Sequence, residues 1–209
     1  MSSRETILEN LRKASNPRTH PEKWQKYREF PDLVEKFTRI LHLAKGQVIF
    51  TENIEAALHQ VESLLEEIEA KAVVINDEAP LNQLDLPARF HQYRWHVVDQ
   101  TEGNLREFCA AADAGITSAD AAFAETGSLV LTSGAGKSRF TSLLPPVHIA
   151  LLPVSCLLSD IFLWERDMKK DLPGWVGFIS GPSKTGDIEG VLTLGVHGPK
   201  RFIVILYRD

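Results

Sequence analysis

Short, continuously apolar runs that alternate with amphipathic stretches constrain this chain more than any other feature. The runs that carry apolar side chains on both faces of an extended strand are residues 48–50, 72–75, 147–152 and 202–206. Helical amphipathic patterns lie between them, for example at residues 54–68. Strands of this kind belong to parallel sheets that helices cover on both sides. We therefore predict an α/β fold with three layers around a mainly parallel sheet.

The first 45 residues are predicted to form an N-terminal helical arm (residues 1–45). A short amphipathic helix near the N terminus is followed by a polar stretch with three prolines at residues 15–31, which indicates an irregular linker. A second helix is predicted to begin after Asp32 and to end at Gly46. Residues 46–209 are then expected to form one α/β domain.

Charge and cysteine usage exclude several classes of protein. The formal net charge of -5 argues against nucleic acid as the main partner, because phosphate backbones select clustered Lys and Arg. The two cysteines, Cys109 and Cys156, form no Cys-x-x-Cys pair, so no zinc or iron–sulfur motif is present, and buried reduced thiols are expected. The sequence lacks a signal-peptide pattern and any apolar run near the ~20 residues of a membrane span, which predicts a cytoplasmic protein.

Residues 134–138, Gly-Ala-Gly-Lys-Ser, follow a predicted strand and partly match a nucleotide-binding P-loop. That motif requires a glycine five residues before Gly136, where this chain has Leu131, and two prolines interrupt the helix that should follow. We interpret the segment as a flexible glycine turn that carries Lys137 and Arg139 towards an anionic group. Arg139 is therefore a candidate ligand contact.

Glu125 stands directly before a predicted buried strand, next to Thr126 and Gly127. A glycine in this place lets the backbone approach a ligand closely. Glu125 is therefore a candidate catalytic carboxylate, with Thr126 and Gly127 as candidate ligand contacts. The alternative is a solvated loop glutamate that pairs with a surface arginine.

The loop SGPSKTGDIEG, residues 180–190, combines glycines with short hydroxyl side chains. Such a loop can present successive backbone N–H groups as an anion-binding nest. The candidate contacts for a phosphate or carboxylate are Gly181, Ser183, Lys184, Thr185 and Gly186. A helix that began near Asp187 would add its dipole to the site; the alternative is a plain turn in which Asp187 is an N-cap.

His197 lies in a glycine- and proline-rich segment, a setting that core packing explains poorly. Histidine is the side chain best suited to proton transfer near neutral pH, so His197 and Glu125 form a candidate catalytic pair that Asp187 would orient. A structural histidine in a turn is the alternative. Asp187, Glu189 and His148 show no recognisable ligand spacing around His197, and no metal site is predicted. His148, within an apolar strand, is expected to be a core histidine.

Several of these segments occur in the order found in the LUD (lactate utilisation) family, which the chain resembles from about residue 121 to residue 206. They are AETGSLVLTS, the later Arg139, LLPPVHIALLP, SGPSKTGDIE and GVHGPKRFIVIL. The resemblance implies a three-layer α/β fold like that of the sugar-phosphate isomerase and CoA-transferase superfamily. It also implies a role in oxidising L-lactate to pyruvate together with two partner proteins. This chain lacks the iron–sulfur motifs of the larger partner, which favours the short form in the family.

Two functions are compatible with these features. The first is a component of an L-lactate oxidation system that binds a small carboxylate or phosphorylated ligand at strand-end loops. It would hold no cofactor of its own, and iron–sulfur clusters would lie in a partner protein. The second is a stand-alone small-molecule enzyme of the CoA-transferase or isomerase type, because Glu125 lies in a Glu-x-Gly setting similar to the catalytic glutamate of that superfamily. A purely structural protein would leave the polar loops without a function.

Overall fold

A computed structural model describes residues 3–14, 28–167, 173–188 and 191–209 of the chain. Its helices are α1 (Ser3–Ala14), α2 (Leu33–Leu43), α3 (Ile54–Glu67), α4 (Leu81–Leu84), α5 (Leu86–Arg89), α6 (Leu105–Ala111), α7 (Arg139–Leu143) and α8 (Ile161–Asp167). Its strands are β1 (Gln47–Thr51), β2 (Ala72–Ile75), β3 (Arg94–Val97), β4 (Ala114–Ser118), β5 (Ala121–Phe123), β6 (Ser128–Thr132), β7 (Val147–Pro153), β8 (Leu157–Leu158), β9 (Val176–Ile179), β10 (Lys184–Ile188), β11 (Val191–Leu194) and β12 (Arg201–Tyr207).

The central sheet has six strands in the order β1-β12-β7-β4-β2-β3, and every neighbouring pair is parallel. The strands β12, β7 and β4 lie in the middle, where residues Phe202–Tyr207 are buried along almost the whole strand. Buried strands of this kind are mostly apolar on both faces, because each face is covered by another layer. The predicted parallel sheet of an α/β fold is therefore confirmed.

Helix α3 covers one face of the central sheet, with Leu58, Val61 and Leu65 buried against the strands. The other face carries α2 and a second, four-stranded sheet in the order β8-β5-β6-β9. Phe37 and Leu41 of α2 are fully buried in that layer. The domain thus has the three layers that the sequence pattern predicted.

Both helices that the sequence predicts in the N-terminal part are present in the described residues, and the second, α2, packs into a layer of the α/β domain. Helix α2 begins after Asp32, whose Oδ1 accepts a hydrogen bond of 2.9 Å from Glu35 N. The helix ends at Leu43, slightly before the predicted end at Gly46. The predicted irregular linker lies mostly outside the described residues. No helix in the described part of the chain is long and apolar enough to cross a membrane.

The sequence patterns of residues 105–114 and 157–170 each predict a helix, and both helices have different bounds in the structure. A helix over residues 157–170 was predicted, but residues 157–158 form β8 and α8 begins only at Ile161. The carboxylate of Asp160 accepts hydrogen bonds from Phe162 N and Leu163 N at 3.0 and 3.2 Å and so places the N terminus of α8. The predicted helix over residues 105–114 ends at Ala111, because β4 begins at residue 114 and pairs with its neighbours in the central sheet.

No helix begins near Asp187. Residues 184–188 form β10, which pairs with β11 in an antiparallel hairpin, with Lys184 opposite Leu194 and Thr185 opposite Thr193. Of the alternatives for this loop, a helix that would add its dipole is therefore not the one formed by residues 184–188.

Candidate functional site

Polar side chains gather where β2 and β4 end. Asn76 follows β2 directly, Glu78 comes two residues later, and Ser118 is the last residue of β4. Asp120 lies just beyond Ser118, before β5. Parallel α/β sheets bind ligands at this carboxyl edge, because the loops that leave neighbouring strands there enclose a crevice.

Glu78 is the most buried charged group at this edge, with 7% of its surface exposed. Its Oε1 accepts hydrogen bonds from Asn76 Nδ2 at 3.0 Å and from Ser118 N at 3.1 Å. Its Oε2 lies 3.1 Å from Lys137 Nζ. Burial raises the pKa of Glu78 above its ordinary value, although the hydrogen bond from Asn76 and the charge of Lys137 act in the opposite direction.

The ammonium of Lys137 lies between two carboxylates. Its Nζ is 2.5 Å from Asp120 Oδ1 and 3.1 Å from Glu78 Oε2. Burial by itself would lower the pKa of Lys137, but the hydrogen bonds and charges of Asp120 and Glu78 outweigh it, and the pKa is raised. We refer to Glu78, Asp120 and Lys137 as the carboxyl-edge cluster.

The glycine turn at residues 134–138 positions Lys137. Gly136 has φ +69, and its N donates to Asp99 Oδ2 at 2.7 Å. Gly136 O accepts from Asp77 N at 2.8 Å, so the turn is held on both sides by the chain that follows β2 and β3. The sequence predicted a turn that carries Lys137 towards an anionic group, and the structure shows such a turn, held in place by hydrogen bonds.

A cavity of about 450 Å³ opens beside the cluster. Leu105, Phe140 and Trp175 form an apolar part of its wall, and Lys137, Arg139 and the acidic Asp99 form a charged part. Arg139 is exposed, and within the described residues its guanidinium has no hydrogen-bond or ion-pair partner. A narrow cleft of about 10 Å³, lined by Glu78, shares Arg139 and Trp175 with the cavity. A volume of this size and mixed lining suit a small molecule.

A larger depression, of about 590 Å³, lies along the outer side of α2 and is lined by Glu35, Arg39, His42 and Lys45, among others. These four side chains are solvent-exposed, whereas the narrow cleft that adjoins the carboxyl-edge cavity is lined by buried Glu78. Because ligand sites combine enclosure with a few oriented polar groups, we assign the candidate site to the smaller cavity at the carboxyl edge.

The residues that the sequence singled out lie mostly elsewhere. Glu125 is in the turn between β5 and β6, and its Oε1 is 2.8 Å from Arg28 Nε. The Glu125 side chain is 25% exposed and that of Arg28 is 64% exposed, which agrees with the alternative of a pair with a surface arginine. Thr126 Oγ1 is hydrogen-bonded to Ser128 Oγ at 2.8 Å, and Ser128 Oγ to Ser180 Oγ at 2.6 Å.

Two of the predicted ligand-contact glycines pack against α2. Gly127 has φ +63, and a Cβ there would lie 2.8 Å from Leu41 N. Gly181 has φ +140, and a Cβ there would lie 2.8 Å from Ala44 O. Lys184 Nζ donates a hydrogen bond to that same carbonyl oxygen. The close approach that these glycines permit is an approach to the C-terminal end of a helix.

His197 is exposed in the connection between β11 and β12. Ser183 touches the same connection, because Ser183 N donates to Pro199 O at 2.9 Å and Gly195 N donates to Ser183 O at 2.8 Å. This connection leads into the amino end of β12, the end of the sheet opposite the carboxyl-edge cluster. We refer to residues 125–128, 180–186 and 195–199 as the glycine-rich segments.

The structure thus divides the predicted residues among separate places in the fold. Arg139 lies at the carboxyl edge, Gly127, Gly181 and Lys184 meet α2, and Ser183 meets the segment of His197. No hydrogen bond or ion pair joins Glu125 to His197, both of which are described. Thr185 and Gly186 lie in β10, and so does Asp187, whose side chain falls outside the described part of the structure.

Comparison with known proteins identifies the family. The LUD domain family matches residues 34–207 of this chain. The chain belongs to the LUD domain family. The matched region includes α2 and the first half of the α/β domain, in addition to the part from residue 121 to residue 206 that carried the resemblance.

Curated relatives of this LUD-domain protein share much of its length. It is 39% identical to lactate utilization protein C of Halalkalibacterium halodurans over 71% of this chain and 68% of that protein. It is 42% identical to lactate utilization protein C of an Exiguobacterium species over 59% of this chain and 56% of that protein. A crystal structure of a DUF162 family protein from Deinococcus radiodurans has the same fold, with a TM-score of 0.60, 19% identity and coverage of 84% of this chain and 96% of that one.

Sequence reasoning missed Asn76, Glu78 and Asp120 in this LUD-domain protein. One signal could have revealed the first two, because the run Asn76-Asp77-Glu78 follows the fully apolar strand β2 directly. Polar residues at the carboxyl end of a buried parallel strand point to the ligand edge of the sheet. The sequence shows no comparable signal that Asp120 and Lys137 contact each other.

The structure also shows the surroundings of His148 and of the two cysteines. His148 is fully buried, its Nε2 is 2.9 Å from Thr117 Oγ1, and burial lowers its pKa to about 3, so it is a neutral core histidine. Its buried Nδ1 has no hydrogen-bond partner among the described residues, so the expectation of a satisfied core histidine is only half met. Cys109 is a buried free thiol as predicted, whereas Cys156 is only half-buried. Among the described residues, no three His, Cys, Asp or Glu side chains are grouped in a way that could hold a metal ion.

Proposed function

We propose that this LUD-domain protein is a component of an L-lactate oxidation system and binds a small carboxylate in the carboxyl-edge cavity. The lactate part of this proposal is supported by relatives named lactate utilization protein C, at 39% and 42% identity. The ligand part is carried by one observation: Arg139 lines the cavity and, among the described residues, has no partner for its guanidinium.

The lining of the cavity suits a short organic acid. A guanidinium binds a carboxylate through two parallel N–H···O hydrogen bonds. The apolar side chains of Leu105, Phe140 and Trp175 can contact the methyl group of a three-carbon acid. A small phosphorylated ligand would use the same cation, so inorganic phosphate is the competing probe.

The redox groups belong, in this proposal, to partner proteins of the lactate-utilisation system. The chain has two cysteines 47 positions apart, too few and too distant to hold an iron–sulfur cluster alone. Iron–sulfur clusters and the electron acceptor would therefore lie in proteins that act with this chain. Lactate oxidation by the purified chain alone would contradict this division and favour the stand-alone enzyme.

Calorimetric titration of the purified chain with L-lactate, pyruvate and phosphate tests the ligand part. We expect L-lactate or pyruvate to bind with millimolar affinity or better, about -4 kcal/mol. Arg139→Gln is expected to weaken binding by about tenfold to a hundredfold, because a charge-assisted hydrogen bond contributes roughly 1.5–3 kcal/mol.

Arg89→Gln is the matched control, since Arg89 is half-exposed and its bidentate pair with Glu55 is formed outside the cavity. It removes the same charge from the protein and should leave the affinity unchanged. Equal affinities of the wild type and Arg139→Gln, or preferential binding of phosphate, would contradict a carboxylate site at Arg139.

A further inference from the structure

We propose that Glu78 is the proton-binding residue of the ligand site: it binds a proton when the carboxylate ligand binds and, as a neutral acid, donates a hydrogen bond to the ligand. The class of ligand that fits this role is an acid with an oxygen on the carbon next to the carboxylate, a 2-hydroxy or 2-oxo acid. The inference rests on the proposed function for the presence of such a ligand at Arg139.

The carboxyl-edge cluster has an unequal number of acidic and basic groups. Two carboxylates share one ammonium, so the cluster carries one excess negative charge when both acids are ionised. A buried excess charge is poorly solvated, and one of two acids that share a cation readily keeps a proton. An anionic ligand adds a further negative charge nearby and favours the protonated form still more.

The geometry places that proton on Glu78. Asp120 is more exposed, with a side-chain exposure of 28% against 6% for Glu78. Asp120 Oδ2 also accepts hydrogen bonds from Thr132 N and Thr132 Oγ1, both at 2.9 Å. When Glu78 becomes neutral, Lys137 keeps its ion pair with Asp120, and no carboxylate of the cluster is left without a cation.

Within Glu78, the hydrogen bonds select the oxygen that carries the proton. Oε1 already accepts two hydrogen bonds, from Asn76 and from the backbone of Ser118. Oε2 contacts only the ammonium of Lys137, which can move onto Asp120 and towards Thr132 Oγ1 at 3.4 Å. Protonated Oε2 is thus the group that can turn its hydrogen to a ligand.

The cleft, which has room for about one oxygen-sized atom, adjoins this group. Glu78 and Arg139 both line it, and Arg139 also lines the cavity. A ligand whose carboxylate is held by Arg139 can direct the oxygen on its next carbon into the cleft. The other charged groups around the cluster are already engaged, because Asp99 accepts from Gly136 N and Asp77 from Gln100 Nε2.

Proton counting by calorimetry tests the inference. Pyruvate binding is measured at about pH 6 in two buffers whose ionisation enthalpies differ, which gives the number of protons bound with the ligand. We expect the wild type to bind up to about one proton with each pyruvate and to lose affinity as the pH rises, by about tenfold per pH unit at the steepest. Glu78→Gln is expected to bind pyruvate without this proton and with little dependence on pH.

The outcomes separate the inference from the proposed function. Absence of pyruvate and lactate binding in the wild type would overturn both. Binding with equal proton uptake in the wild type and Glu78→Gln would overturn the role of Glu78 and leave the ligand site in place. If Glu78→Gln does not fold, carbon-13 spectra of the wild type labelled at glutamate carboxyls replace it, since Glu78 is the one buried glutamate among the described residues. A high-titrating carboxyl signal that pyruvate leaves unchanged would then overturn the inference.

Discussion

The carboxyl edge of the sheet and the glycine-rich segments both place charged side chains on loops, but they use them differently. At the carboxyl edge, Glu78 and Lys137 are withdrawn from water and Arg139 faces a cavity. In the glycine-rich segments, Glu125 pairs with exposed Arg28, and Lys184 caps the carbonyl oxygen at the end of α2. A glycine-rich loop with charges therefore indicates close packing as readily as it indicates a ligand site.

The largest expected effect tests how far the carboxyl-edge cluster is withdrawn from water. Lys137→Met leaves Glu78 and Asp120 without a cation, and we expect the free energy of unfolding to fall by about 3 kcal/mol near pH 8. The loss should be smaller near about pH 5, because protonation neutralises carboxylates whose folded pKa is raised above the unfolded value. Urea denaturation at both pH values measures this.

The direction of this pH dependence follows from Glu78 in the wild type, because burial already raises the pKa of its carboxyl group. A raised folded pKa contributes stability below the unfolded pKa and loses it as the pH rises through the folded pKa. Lys13→Met, which removes an exposed ammonium paired with Glu9 on α1, is the matched control and should cost less than about 0.5 kcal/mol. Equal losses in both variants would mean that the cluster behaves as a surface network.

The second-largest expected effect is on kcat/KM in the reconstituted lactate-oxidising system, measured for variants of the carboxyl edge and of the glycine-rich segments. Arg139→Gln is expected to lower kcat/KM by about tenfold to a hundredfold, because a charge-assisted hydrogen bond to the substrate is lost. Glu125→Gln and His197→Asn test the sequence-based assignment, which predicts losses on the order of 10²–10⁴-fold for a proton-handling pair. From its ion pair with Arg28, we expect Glu125→Gln to remain within about twofold of the wild type.

The decisive result is a loss of kcat/KM in the variants of one region without such a loss in the variants of the other. Thermal melts show whether every variant is folded. Full activity of Arg139→Gln beside a large loss in Glu125→Gln and His197→Asn would move the site to the glycine-rich segments.

A third, smaller effect tests the role of the glycines. Gly127→Ala combines a positive φ with a Cβ placed against Leu41 N, so we expect a loss of about 2 kcal/mol in stability. Gly103→Ala is the control, because Gly103 also has a positive φ, +118, but no atom lies within 4 Å of the added Cβ. Its loss should be nearer ~1 kcal/mol. An unchanged melting temperature with impaired ligand binding in Gly127→Ala would favour the ligand-contact hypothesis.

The smallest expected effect concerns Lys184. It is exposed, and its hydrogen bond to Ala44 O at the end of α2 is expected to contribute about 0.5 kcal/mol or less. Lys184→Gln should therefore change the melting temperature little. The anion-nest hypothesis is tested on the same variant by NMR titration with phosphate: shifts of the amides at residues 181–186 that weaken in Lys184→Gln would support an anion site there.

The fold was predictable because its main signal is local. Strands β2, β7 and β12 are apolar on both faces, and that pattern alone indicates a covered parallel sheet. Prediction failed where pairing with a strand outside the segment sets the local conformation. Residues 184–188 form a strand because β11 is available to pair with them, and residues 157–158 pair with β5 before α8 begins. Such partners lie outside any short sequence window.

By itself, the sequence determined the kind of sheet, the order of most helices and strands, and the turn that carries Lys137 and Arg139. Only the tertiary structure decided which polar residues meet. Glu78 accepts one of its two hydrogen bonds from Ser118, 40 positions away, and Asn76 is joined to the glycine turn across 62 positions. The physical reason is that parallel neighbours β2 and β4 end at the same edge, while the chain between them crosses the sheet through α6. Spatial proximity at that edge depends on the strand order, which no residue pattern along the chain records.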